Sequence, residues 1–220
     1  MVNMTLTISK KKRVAILFTP PFIILVGCIT AITFSSFIDE WAWIPLALVY
    51  WAAIGMCVYF LKGDKKVKDW LRKSVSSKTS VILAFVFGLF PMTILFMNVH
   101  LFESPLIIVL WIGFALINPW FEEIYWRGLL LDAAAGIMSK WIGVGYSTIF
   151  FMLSHPLMWG VFSIANSHYH VFVYLFLLGI IWSIIYYKTG SLRWAIFSHF
   201  LVNIGIMTVP VFLNIYIPPL

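Results

Sequence analysis

Long apolar runs separated by short polar connections dominate the chain. They lack the alternation of barrel strands, and each is about 17 to 25 residues long, enough for a helix to cross about 30 Å of hydrocarbon. Spans are predicted at 14–37, 43–61, 81–99, 105–131, 141–160, 171–187 and 191–213. The expected fold class is therefore all-α, a polytopic integral membrane helical bundle of about seven transmembrane helices. Proline removes a helical donor, so Pro20 with Pro21, Pro91, and the Asn118-Pro119 pair predict kinks or breaks. The last of these lies one turn before an acidic pair, where freed carbonyls are tolerated if they line a cavity or pack against protein.

Composition removes the soluble alternatives, because 62% of residues are hydrophobic and only 10% are charged. Charge placement then orients the bundle. Lys10, Lys11, Lys12 and Arg13 precede the first span, and Lys62, Lys65, Lys66, Lys68, Arg72, Lys73 and Lys78 lie between the second and third. Both regions are expected in the cytoplasm, with Lys140, Lys188 and Arg193 on the same side. This predicts a multi-pass protein of the cell membrane with its N-terminus cytoplasmic and, after an odd number of spans, its C-terminus outside. The first span is too long for a signal peptide and lacks a small-residue cleavage site, so it reads as a retained anchor.

Much of the net charge of +7 sits in 62–80, around Trp70 and Leu71. A loop of this kind suits the anionic headgroups of the lipid bilayer, and no nucleic acid is expected. Cys28 and Cys57 fall in apolar runs, which indicates buried thiols and no disulfide framework. His100, His168 and His170 read as solvated loop residues at the outer face, without the Cys or carboxylate neighbours of a metal site.

The chemistry-bearing residues lie in the second half of the chain. Glu122 and Glu123 sit inside an apolar span, where an ionised side chain costs several kcal/mol. On a helix Glu123 and Arg127 stack one turn apart in the favourable order for an ion pair, whereas Glu122 points about 100° away. That leaves Glu122 without a charge partner in its own segment, and a buried carboxylate of this kind is what general acid–base chemistry uses. A Glu-Arg lock that merely fixes packing accounts for Glu123 and Arg127, but not for Glu122.

His155, four residues after Phe151, is the next polar group in an apolar run; beside a buried carboxylate it can share a water and move its proton. His199 and Asn203 are one turn apart and project together, as donors to a developing oxyanion or as a polar pair joining helices. Counted at 1.5 Å per residue from the inner ends, Glu122, His155 and His199 lie at depths of about 15, 22 and 9 Å. The expectation is a convergent site in a cavity reached from the cytoplasmic side. Ser154 adjoins His155, but neighbours on a helix do not face each other, which argues against a serine nucleophile using that histidine.

Three motifs in this order, Glu122-Glu123-Ile-Tyr-Trp-Arg127, Phe151-Met-Leu-Ser-His155 and His199-Phe-Leu-Val-Asn203, resemble the CPBP family of CAAX proteases and bacteriocin-processing enzymes. This is also known as the CAAX amino-terminal protease or Abi family and is similar to the type II CAAX prenyl endopeptidase. The resemblance covers roughly 105–213 and implies an intramembrane glutamic endopeptidase with a conical active-site cavity. It also implies Glu122 and His155 as the pair that activates water and His199 with Asn203 as the oxyanion site. Glu123, Arg127 and Phe151 would support the site or contact substrate.

The domain organisation expected is an N-terminal membrane region of three helices at 1–104 with its basic cytoplasmic loop at 62–80, a CAAX protease-like catalytic core at 105–213, and a tail at 214–220. The expected partner is a membrane-associated peptide or protein substrate, whether CAAX-type, a bacteriocin or a leader peptide. No cofactor is expected. The nearest alternative makes Glu122, His155 and His199 the ligands of a catalytic zinc, although the His-Glu-x-x-His helix is absent. An alternative from another class is a non-enzymatic bacteriocin immunity or transport protein, because intramembrane carboxylates also serve proton relays.

Overall fold

A computed structural model describes residues 9–74 and 77–218. The first eight residues of the N-terminal region, 75–76 of the basic loop and 219–220 of the tail lie outside the described residues. The elements in chain order are α1 (Lys10–Leu17), α2 (Thr19–Ile38), α3 (Trp43–Leu61), α4 (Val67–Trp70), α5 (Lys78–Leu89) and α6 (Met92–Asn98). They are followed by α7 (Pro105–Glu123), a π-helical turn at Ile124–Leu130, α8 (Leu131–Ala134), α9 (Lys140–Leu157), α10 (Tyr169–Thr189), α11 (Arg193–Gly205) and α12 (Thr208–Phe212). Among the described residues there is no strand, and the molecule is an all-α bundle.

Among the described residues, four stretches are long and apolar enough to cross a membrane: Lys10–Leu61, Lys78–Leu101, Pro105–Ala134 and Tyr169–Thr189. The first contains α1, α2 and α3, with α2 packed against α3. The expected count of seven is not reproduced, because the runs at 141–160 and 191–213 are not spans by length and hydropathy. Their helices explain why: α9 carries Ser147, Thr148, Ser154 and His155, while α11 is only 13 residues long and is separated from α12 by Met207 in the left-handed region. Both face the interior with polar groups.

The prolines act differently from one another. Pro20 falls in the first turn of α2, where its missing N–H costs no helical bond, and Pro91 separates α5 from α6. Helix α7 runs through Pro119 without a break. The irregularity comes after the acidic pair, where the backbone widens into the π-helical turn. Single π turns of this kind recur inside α-helices at functional sites.

Polarity is arranged as a bilayer requires. On α2, Phe22, Leu25, Ile29 and Ile32 are exposed along one face, while Ile23, Gly27 and Ala31 are buried. Glu122, Glu123, Arg127, Asp132 and His199 are all buried. A chain that turns large apolar side chains outward and holds its charges inside suits hydrocarbon surroundings.

The two ends of the bundle differ in charge. At one end Arg13 donates to the Asp132 carbonyl at 2.8 Å, Leu192 N–H to the Trp70 carbonyl at 2.8 Å, and Arg72 to the Gly190 carbonyl at 3.0 Å. Trp70 is not spread on a headgroup surface. It is fully buried, its indole N–H donates to Asp132 at 2.9 Å, and its ring packs so closely on Gly128 that a Cβ there would lie 3.2 Å from it. Lys65 pairs with the same Asp132, and Tyr186 donates to it at 2.9 Å. At the other end Asn214 joins Glu40 at 3.1 Å to the Phe162 carbonyl at 2.9 Å.

Candidate active site

Helix α7 carries Asn118, Glu122 and Glu123 into the interior, and the following π-helical turn adds Trp126 and Arg127. Helix α10 ends at Gly190 in the left-handed conformation, φ 63°, so the chain turns back at once. Helix α11 then brings His199 and Asn203 against α7. Helix α9 supplies Phe151 and His155 and lies close against α10, where a Cβ on Gly179 would come within 2.7 Å of Thr148.

Glu122 is held from three directions. Its Oε1 accepts from the Tyr50 hydroxyl of α3 at 2.9 Å, and its Oε2 accepts from Asn118 Nδ2 at 3.2 Å and lies 3.4 Å from His199 Nε2. Tyr50 itself accepts from the Trp126 indole at 3.0 Å, and Asn118 Oδ1 from the Trp51 indole at 2.9 Å. Glu123 accepts from Arg127 at 3.1 Å and faces His199 Nδ1 at 2.9 Å. Arg127 lies over the Phe151 ring at 4.2 Å and near the Trp182 ring at 5.0 Å, so aromatic faces compensate part of its lost hydration. Trp182 stacks on His199 with ring centroids 4.3 Å apart.

One guanidinium faces two carboxylates, so a buried charge or a proton is left over for the histidines and any water to share. His155 is tuned by its own turn: Nδ1 lies 3.0 Å from the Phe151 carbonyl, which can only accept. That contact puts the hydrogen on Nδ1 and leaves Nε2 an acceptor. Ser154 does reach His155 Nδ1 at 3.3 Å, contrary to the expectation for helix neighbours. The contact arises because Ser154 Oγ and His155 both turn toward the Phe151 carbonyl, and Ser154 is fully buried on that bond at 2.7 Å.

Asn118, Glu122, His155, His199 and Asn203 form the floor of a cavity of 310 Å³. Glu123 and Arg127 are not among its lining residues. The Asn203 carbonyl accepts from Trp111 at 3.2 Å and Thr208 at 2.9 Å, while its buried side-chain Nδ2 has no partner among the described residues. The walls are mainly apolar and aromatic, with Phe114, Phe151, Trp159, Leu178 and Trp182. The mouth is at exposed Phe90 and His170; His170 is not the loop residue expected but lies in the first turn of α10 and lines the cavity.

Access from the basic end is not observed. No lining residue comes from that end, where Trp70, Asp132 and Tyr186 close the bundle. The depth estimate went astray because it treated each helix as straight and independent, whereas α11 is short and α7 continues through a π-helical turn.

Residues overlooked in the sequence are Tyr50, Trp126, Asn118 and Trp51. Asn118 is one turn before Glu122, a spacing that pairs side chains on a helix and was legible. Tyr50 carried only the weaker signal of a hydroxyl midway along an apolar span. Both nitrogens of His199 face carboxylates, and among the described residues no group of three His, Cys, Asp or Glu side chains is placed to hold a metal ion.

These features define a class: a helical membrane protein with a buried cluster of carboxylates and imidazoles at the base of an apolar cavity. Residues 103–205 match the family described as type II CAAX prenyl endopeptidase Rce1-like, and that stretch contains every motif above. The matched family is one of peptide-bond hydrolases. No curated protein and no solved structure matches the chain.

Proposed function

We propose that the protein is an intramembrane endopeptidase in which Glu122 and His155 activate a water. The observation that supports this reading most is that Glu122, and not its neighbour Glu123, lines the cavity together with His155, His199 and Asn203. Glu122 takes a proton from water while His155 Nε2 accepts from the same molecule, and the water oxygen adds to the peptide carbonyl carbon. The resulting oxyanion is met by Asn203 Nδ2, a buried donor that otherwise lacks an acceptor, and by His199 Nε2. The proton then passes to the leaving amine, the C–N bond breaks, and a carboxylate and an amine are released. Glu123 and Arg127 hold His199 in place from behind.

The substrate is a membrane-associated peptide or protein, and exposed Lys66 and Lys68 are the groups that would meet anionic headgroups. Comparing membrane peptidomes of cells carrying the native chain and Glu122→Gln tests the reading. A fragment that disappears with the carboxylate is expected; identical peptidomes from equal amounts of folded protein would refute it.

A further inference from the structure

The mouth of the cavity and the charge of the bundle point in opposite directions. Fourteen of the 15 Lys and Arg residues, all except Arg127, lie in the N-terminal segment, the 62–78 loop or the connections that meet them, at Lys140, Lys188 and Arg193. Hydrogen bonds from Arg13, Arg72, Leu192 and Arg193 to carbonyls of neighbouring loops bring these segments to one end. The opposite end carries Asp39, Glu40 and Glu103 and no Lys or Arg.

The cavity runs away from the basic end. Its floor is the buried set Glu122, Asn118, His199 and Asn203, and its outer lining comes from the α9–α10 connection with the first turn of α10 (Asn166, His170) and the C-terminal segment (Tyr216, Pro218), with Phe90 and Pro91 between α5 and α6 on a third side. Those two segments are joined at the acidic end through Asn214, which contacts Glu40, the Phe162 carbonyl and the Ile164 N–H. The basic end is filled beneath the site by Trp70 and Asp132.

We infer that substrate enters from the end opposite the basic clusters, which under the positive-inside rule is the non-cytoplasmic face. The substrate class is an exported or outward-anchored peptide with an apolar stretch around the scissile bond. Apolar walls disfavour a charged group beside that bond, and Asp39, Glu40 and Glu103 at that end of the bundle favour cationic flanks. Asn166, buried at the outer lining and bonded to Ser163 at 3.0 Å, is positioned to meet the peptide backbone on its way in. The inference rests on the endopeptidase reading for its chemistry, but not for the direction of access.

The test uses a chain with Cys28→Ala and Cys57→Ala, carrying either His170→Cys at the mouth or Lys73→Cys at the basic end. Intact cells are treated with a bulky membrane-impermeant maleimide. Cleavage of a lysine-flanked apolar decapeptide is then followed in vesicles prepared from them. Labelling of His170→Cys in intact cells, with at least a tenfold loss of cleavage, is expected. Lys73→Cys should label only after permeabilisation, with cleavage changed less than twofold. Labelling of His170→Cys only after permeabilisation, or full cleavage by the labelled protein, overturns the inference. If the unlabelled parent cleaves nothing, the endopeptidase reading fails, while the labelling pattern alone still decides the direction of access.

Discussion

The Tyr50 hydroxyl joins two buried groups, donating to Glu122 at 2.9 Å and accepting from Trp126 at 3.0 Å, so Tyr50→Phe removes two hydrogen bonds with one atom. A hydrogen bond to a charged group contributes about 1.5 to 3 kcal/mol, which corresponds to a loss of roughly 10- to 150-fold in kcat/KM if it is needed to orient the carboxylate. The stranded Trp126 N–H costs about 1 to 3 kcal/mol of stability, or roughly 2 to 12 °C in Tm for a chain of this size. Adding Trp126→Phe removes that stranded donor. The double variant should therefore recover stability relative to Tyr50→Phe while staying impaired in catalysis. The assay is initial-rate cleavage of a quenched peptide in proteoliposomes, with thermal unfolding of the same preparations. A Tyr50→Phe protein within twofold of native kcat/KM would refute the argument that α3 orients Glu122.

Three further outcomes follow from the same geometry. Arg127→Lys keeps a charge beside Glu123 but loses the planar group lying over Phe151, so at least a tenfold loss of cleavage is expected, with the protein still inserted; an unchanged rate would show that the stacking does not matter. Asp132→Ala strands Lys65, Trp70 and Tyr186 at the basic end, at about 3 to 5 kcal/mol, and thermal unfolding should show a marked loss of Tm; an unchanged Tm would contradict the docking of the loop. Exhaustive chelation should leave cleavage intact, because both nitrogens of His199 face carboxylates as donors, which leaves no lone pair for a metal; loss of cleavage with restoration by zinc would contradict the water-activation scheme.

What was legible in the sequence was local. Glu123 and Arg127 are one turn apart and do pair, and the widely spaced motifs on α7, α9 and α11 do meet around one cavity. The partners of Glu122 were less accessible, because Tyr50 lies 72 residues away and no helical spacing relates it to the carboxylate. The direction of the cavity was misjudged for a related reason. Depth along a single helix says nothing about which end neighbouring loops fill, and here Trp70 and Asp132 fill the basic one. The basic loop was misread because clustered lysines around a tryptophan look alike whether the indole rests among headgroups or is buried against Gly128. The π-helical turn after Glu123 carries no sequence signal; nothing in Ile124–Leu130 distinguishes it from an ordinary α-helix.

The division of labour between the adjacent glutamates is the central claim, and kcat of purified Glu122→Gln in proteoliposomes, measured against native protein on one quenched peptide, tests it most directly. Removing the general base is predicted to lower kcat by about 10² to 10⁴ with the fold intact. A Glu122→Gln enzyme that cleaves at the native rate would contradict the account.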